Sequence, residues 1–353
     1  MKAKTVLAAL LLMSAHHVSA QVYEVQWEEQ KSGLTSSLRG LCAVNEKIAW
    51  ASGTRGSFAR TIDGGQTWLA DSVAGATPLD FRDVQAFDAN RAYLMSAGSG
   101  ELSRIYKTVD GGKNWQLQHQ NKIPEGFFDG MAFWDENNGV VVGDPVNGRI
   151  FLLLTSDGGK NWQPLAAENS PAVMNGEYAF AASGTGIVTL AKNKIWLATG
   201  GAVARVFYSH DRGQTWQVSA TPIVSGNQSS GIFSLVFRDE KHGVVIGGDY
   251  QQHLAANSNV ALTDDGGKTW RLPKNSASVT FQSCVAFVPE RAMLTHMLVA
   301  VGTSGSFCSY DDGQTWNKFS DAAYHTLSFA KSSHIGWAAG SEGRIAKCVI
   351  KKK

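Results

Sequence analysis

The residues whose spacing best suits chemistry are six aspartates. Asp63, Asp110, Asp157, Asp211, Asp265 and Asp311 stand 47, 47, 54, 54 and 46 residues apart, and carboxylates repeated in this way could transfer protons or ligate cations. Their neighbours point elsewhere. Each lies in an octapeptide of the form [Ser/Thr]-x-Asp-x-Gly-x-[Thr/Asn]-Trp, first seen as Thr61-Ile62-Asp63-Gly64-Gly65-Gln66-Thr67-Trp68 and repeated over 108–115, 155–162, 209–216, 263–270 and 309–316. The carboxylate and the Ser/Thr hydroxyl suit hydrogen bonds to backbone groups inside a tight turn. The glycine permits positive φ, and the tryptophan is a large apolar wedge for a neighbouring sheet. The octapeptide therefore predicts a folded hairpin, with the six aspartates structural. Asp264-Asp265 and Asp311-Asp312 lack the alternating oxygen ligands that calcium favours. Cys42, Cys284, Cys308 and Cys348 form no C-x-x-C pair and no zinc spacing with histidine. No metal and no cofactor is expected.

The elements that carry these turns are short strands. Each octapeptide follows an apolar strand (82–87, 129–133, 233–237, 283–287, 326–329), then a strand ending in glycine (48–53, 139–143, 243–247), then a third strand leading into the turn. The fourth strand starts at the tryptophan. Repeats of this length imply units that borrow a neighbour's hydrophobic face. Short strands, glycine turns and one aromatic mark per unit are cues for a propeller. Although there are six octapeptides, seven units can be counted. The segment 325–349 supplies three strands of a seventh blade, and 23–28 around Trp27 resembles a strand that follows the octapeptide. The residues after Ala20, shared among seven units, come close to the repeat spacing. The fold expected is all-β, a seven-bladed β-propeller over 21–353 forming a single domain and closed by an N-terminal strand, which removes exposed sheet edges.

Lys2 and Lys4 precede an apolar run at 6–13 and then Val18-Ser19-Ala20. This reads as a secretory signal peptide cleaved after Ala20, which places the mature protein in the periplasm or outside the cell. No later apolar run approaches the length needed to span a bilayer. The chain holds 32 Lys and Arg against 30 Asp and Glu, and loss of the two leader lysines brings the mature charge near zero. Bulk attraction to nucleic acid or anionic lipid is not expected. An oxidising compartment permits disulfides, while the strand-like apolar setting of each cysteine fits buried thiols; the pairing stays open.

The octapeptide resembles the Asp-box, or BNR repeat, of sialidases and related propellers. Together with Gly336, Trp337, Gly340, Gly343 and Ile345 in the last unit, it makes nearly all of 21–350 similar to the photosystem II stability and assembly factor family of seven-bladed propellers. That resemblance implies a non-enzymatic, monomeric assembly factor holding a membrane or envelope protein, with an arginine patch on one face. Position by position, the residue opening the third strand is Ser57, Arg104, Arg149, Arg205, Asn259, Ser306 and Arg344. In propeller winding this position lies on the face opposite the Asp-box turns. Arg82, Asp83, Asp129, Glu177 and His325 are expected on that face, with His253 nearby. The loop 249–253 should extend over it. Arginine suits carboxylate, phosphate or an acidic peptide, so these residues either form a ligand surface or pair with their acidic neighbours and cap the ring. The alternative is a sialidase-like glycoside hydrolase or a glycan-binding propeller. Paired catalytic carboxylates would need about 5–10 Å of separation, for which Asp83 and Asp129 are the candidates. The sialidase Arg-Ile-Pro motif is absent, the corresponding region reading Leu38-Arg39-Gly40-Leu41. No nucleophile elbow, phosphate loop, dinucleotide fingerprint or His-Glu-x-x-His is present.

Overall fold

The computed structural model describes residues 23–274, 278–289 and 296–352, so the expected leader lies outside the described residues. Seven antiparallel sheets follow one another around a ring. Each runs from an inner strand beside the central channel to an outer strand at the rim. The inner strands of blades 1 to 3 are Leu38–Ala43, Asp80–Ala86 and Phe128–Phe133. Those of blades 4 to 7 are Ile187–Leu190, Ser230–Phe237, Cys284–Phe287 and Thr326–Phe329. The outer strand of blade 5 is reduced to a bridge between Leu262 and Arg271.

Hydrophobic packing lies between blades, because each sheet is apolar on both faces and must be covered on both. Among the described residues, a separate buried cluster fills each of the seven junctions. Trp50 and Phe58 of blade 1, for example, meet Phe81, Val84 and Leu94 of blade 2. The tryptophan after each box reaches toward the preceding blade. Trp115 stands edge-on to Trp50 and to Phe58, at 6.1 and 5.2 Å between ring centroids.

The six octapeptides share one hydrogen-bond scheme. In the first, the Thr61 hydroxyl donates to Asp63 Oδ1 at 2.8 Å and accepts from Gly65 N at 2.9 Å. Asp63 in turn accepts from Thr67 N at 2.9 Å and from the Thr67 hydroxyl at 2.6 Å. The other five boxes repeat these bonds, with asparagine amides of Asn114 and Asn161 replacing the second hydroxyl. Hydrogen bonds from the Thr67 side chain and backbone hold the Asp63 carboxyl down at about 2. The equivalent bonds from Asn114 and Asn161 do the same at Asp110 and Asp157. A carboxylate so engaged is a turn fastener, as its neighbours in sequence require.

Tyr23–Lys31 supplies the outer strand of blade 7, pairing antiparallel with Arg344–Lys352. Trp27 lies opposite Cys348, which is itself paired with Gly336. In blade 1, Thr61 holds the place of Cys348, being paired with the first residue of the second strand, Ala49. Trp27 thus stands where a box tryptophan would. Its ring lies 5.6 Å from Phe319 and 5.1 Å from Tyr324, and its Nε1 donates to Ser306 Oγ at 3.0 Å. The first and last strands therefore close the ring side by side, with Arg344–Lys352 covered on both edges and Tyr23–Lys31 forming the rim.

Candidate binding site

The face opposite the Asp-box turns opens into a cavity of about 470 Å³ at the channel mouth. Its wall is built by a repeated irregularity. In blades 1, 2, 3 and 5 the register of the inner strand slips by one residue, between Leu38 and Gly40, Phe81 and Asp83, Phe128 and Gly130, and Ile232 and Ser234. The residues left over are Arg39, Arg82, Asp129 and Phe233, and all four line the cavity. A β-bulge re-aims its extra side chain out of the normal alternation. Here it turns one residue per blade toward the mouth. His325 extends the ring in blade 7, where its N–H bonds to Ala339 O just before the strand begins.

The floor is a plug. Residues 179–186, which lead into the short inner strand of blade 4, cross the channel. Arg82 Nη1 donates to Ala181 O at 2.8 Å, the Ser183 hydroxyl to Ser283 O at 2.9 Å, and the Thr185 hydroxyl to Ser234 Oγ at 2.8 Å. The plug is thereby tied to blades 2, 5 and 6. Phe180 stacks on Phe233 at 4.0 Å, and Phe281 meets Phe233 edge-on at 4.9 Å. Tyr178 and Tyr250 complete an aromatic wall. Tyr250 comes from the turn Tyr250–Gln252, within the extended loop expected over this face.

The cavity is electrically divided. Arg39 and Arg82 approach His325, whose imidazole is pushed down to about 4 by burial and by these two cations. Burial and then Arg82 also lower Arg39. Arg82 is partly committed, since its Nε donates to Asp80 at 2.7 Å. Arg39 makes no hydrogen bond or ion pair among the described residues, and half of it is covered. Beside Arg82, on blade 3, stand Asp129 and Asp144. Asp129 is 3 % exposed, and its Oδ2 has no hydrogen-bond partner. Burial, then the Asp144 charge, raise it well above the usual carboxylate range, against the pull of Arg82. Burial brings Asp144 up to about 6, although Ala179 N donates to its Oδ1 at 3.3 Å.

Several expected site residues lie elsewhere. Asp83 does not face the mouth: it is 3 % exposed, and its Oδ2 accepts from Met131 N of the next blade at 2.7 Å. Because the bulge falls on Arg82, Asp83 is turned behind the plug, where a Cβ on Gly184 would come within 2.4 Å of its Cγ. Asp83 and Asp129 therefore do not share an open face. Arg104, Arg149, Arg205 and Arg344 open third strands as expected, yet none lines the cavity. Arg104 donates to Glu101 O at 2.7 Å, Arg149 to Ser170 O, and Arg344 to Ala323 O at 3.3 Å. Arg205 forms a two-pronged ion pair with the buried Glu177, at 2.9 Å through Nε and 2.5 Å through Nη2. His253 is exposed and accepts from Phe281 N through its backbone carbonyl. The four cysteines are free thiols, three of them buried. Among the described residues no three His, Cys, Asp or Glu are grouped to hold a metal ion, and no helix is long and apolar enough to cross a membrane. Arg39 was missed because nothing in the sequence marks a bulge, and Asp144 because it lies just past the glycine at which the second strand was expected to end.

The BNR/Asp-box repeat family matches residues 207–218, which hold the turn of blade 4. The chain is a seven-bladed β-propeller. Among solved structures, the chain superposes on YCF48 bound to a D1 peptide with a TM-score of 0.65 at 18 % identity, covering 92 % of this chain and 96 % of that one. YCF48 from Cyanidioschyzon merolae gives 0.62 at 18 %, covering 91 % and 98 %. The WD40 propeller domain of Doa1 gives 0.58 at 13 %, covering 92 % and 97 %. By sequence, no curated protein matches the chain. The propeller thus shares its fold with YCF48.

Proposed function

We propose that this propeller is a binding or assembly factor that captures an acidic segment of a partner protein in the channel-mouth cavity. The observation that carries the reading is Arg39, a half-covered guanidinium that makes no hydrogen bond or ion pair among the described residues and feels only the longer-range charge of Asp80, beside Arg82 and His325. A planar donor fork held without an acceptor fits a carboxylate. A YCF48 structure with a bound D1 peptide shows that a propeller of this fold can hold a peptide. The leader at 1–20 supports export, so the partner would be an envelope or membrane protein met outside the cytoplasm; a mature mass beginning at Gln21 would check this.

The test is fluorescence anisotropy with a labelled peptide rich in Asp and Glu, against the same peptide with its carboxylates amidated. Arg39→Gln should weaken binding of the acidic peptide about tenfold or more, since hydrogen bonds to charged groups contribute about 1.5–3 kcal/mol. Equal affinity in the parent and Arg39→Gln would end the proposal.

A further inference from the structure

The acidic side of the cavity has no role in holding an acidic peptide, and its geometry is costly as it stands. Asp129 carries an oxygen that is buried and unpaired. Leaving such a group without a partner is unfavourable, the more so when it is charged. Asp144 comes from the end of the neighbouring strand Gly139–Val146, close enough that its charge acts on Asp129. Two carboxylates so placed cannot both ionise comfortably without cations beside them, and among the named neighbours only Arg82 acts on Asp129 in that sense. The donor set argues against a divalent metal, because no third His, Cys, Asp or Glu joins the pair among the described residues. The remaining wall is aromatic, with Tyr178 edge-on to Phe180 at 5.5 Å and Tyr250 edge-on to Phe233 at 6.2 Å. Aromatic faces attract organic cations, and they supply no ligand set for a hard metal.

We propose that Asp129 and Asp144 form an ammonium subsite, so that the ligand of this cavity carries a primary ammonium group within reach of the carboxylate taken by Arg39. The second half of that statement rests on the function proposed above; the ammonium subsite does not. An acid pair on blade 3 and a guanidinium pair on blades 1 and 2, lining one cavity, select a bipolar ligand over either half alone. A volume of about 470 Å³ suits a small molecule or one to two residues of a peptide. A free amino acid and a peptide-borne lysine share this chemistry.

Calorimetric titration of the whole protein with four probes tests the inference: 6-aminohexanoate, hexanoate, hexylamine, and acetyl-Lys-Ala-Glu-amide. 6-Aminohexanoate should bind about tenfold or more tightly than hexanoate, the gain of one charged hydrogen bond. Asp129→Asn should remove that gap. The tighter of 6-aminohexanoate and the capped peptide identifies the source, and either supports the subsite. Equal affinity for hexanoate and 6-aminohexanoate in the parent protein overturns the subsite and leaves the arginine reading standing. Equal affinity for hexylamine and 6-aminohexanoate, with no binding of hexanoate, overturns the arginine reading and keeps the subsite. Binding of none of the four overturns both. The parent titrations decide the matter even where Asp129→Asn does not fold.

Discussion

Asp83 offers a prediction whose sign and size follow from its burial. Its carboxyl is sealed between blade 2, blade 3 and the plug, and burial pushes it up to about 8, against hydrogen bonds from Met131 N, Val84 N and Gln85. An aspartate in an unfolded chain titrates near 3.9. Below about 4 both states hold the proton, and the contribution of Asp83 to stability is complete. Between about 4 and about 8 the folded state keeps a proton that the unfolded state has released, so stability falls as pH rises. The slope reaches about 1.4 kcal/mol per pH unit, and the loss levels off above about 8. The amide introduced by Asp83→Asn retains an acceptor for Met131 N and never ionises. The variant should therefore gain on the parent by about 2–3 kcal/mol between pH 5 and pH 7. Urea unfolding of both proteins at pH 5, 6 and 7 measures this. The difference between them is the decisive quantity, because Asp129 and Asp144 tilt both profiles in the same direction. Parallel profiles, agreeing within about 0.5 kcal/mol at every pH, would refute the assignment of a buried, protonated Asp83.

Trp27→Ala removes the blade 7 counterpart of a box tryptophan. As Trp27 is half-buried, the loss should be about 2–3 kcal/mol, below that of a fully buried tryptophan; a urea midpoint within error of the parent would show that ring closure does not depend on it. Gly184→Ala introduces a side chain at φ +75°, where Asp83 already occupies the space. It should destabilise by about 2 kcal/mol or more, and a double-mutant cycle with Asp83→Ala should show coupling above about 1 kcal/mol; additive effects would place the plug elsewhere. Glu177→Ala leaves Arg205 facing an empty site and also deprives the Thr199 hydroxyl and Met174 N of their acceptor. The expected cost is about 3 kcal/mol, and a measured loss under about 1 kcal/mol would demote the pair to a surface contact.

Much of the architecture was legible in the residues themselves. The box is a local device: its hydroxyl, carboxylate and glycine close a turn within eight residues, so its meaning survives without knowledge of the rest of the chain. Six copies at near-even spacing, a box-less last unit and Trp27 ahead of the first box were enough to imply seven blades and a strand exchanged between the two ends. The third-strand openings at Arg104, Arg149, Arg205 and Arg344 were also placed on the right blades by counting from the boxes.

The composition of the site was settled only by tertiary structure. Side chains in a strand alternate, so a slip of one residue exchanges the two faces. The inner strands mix polar and apolar residues without a regular alternation that would betray the slip. Adjacent residues such as Arg82 and Asp83 were therefore indistinguishable in sequence, while the bulge sends the first to the cavity and the second behind the plug. Arg39, read in sequence only as part of Leu38-Arg39-Gly40-Leu41, became a cavity residue by the same means. The plug is likewise a long-range object, since Ser183 and Gly184 meet partners on blades 6 and 2 that lie about 100 residues away in either direction. Local chemistry wrote the blades, and contacts remote in sequence chose which residues face the ligand.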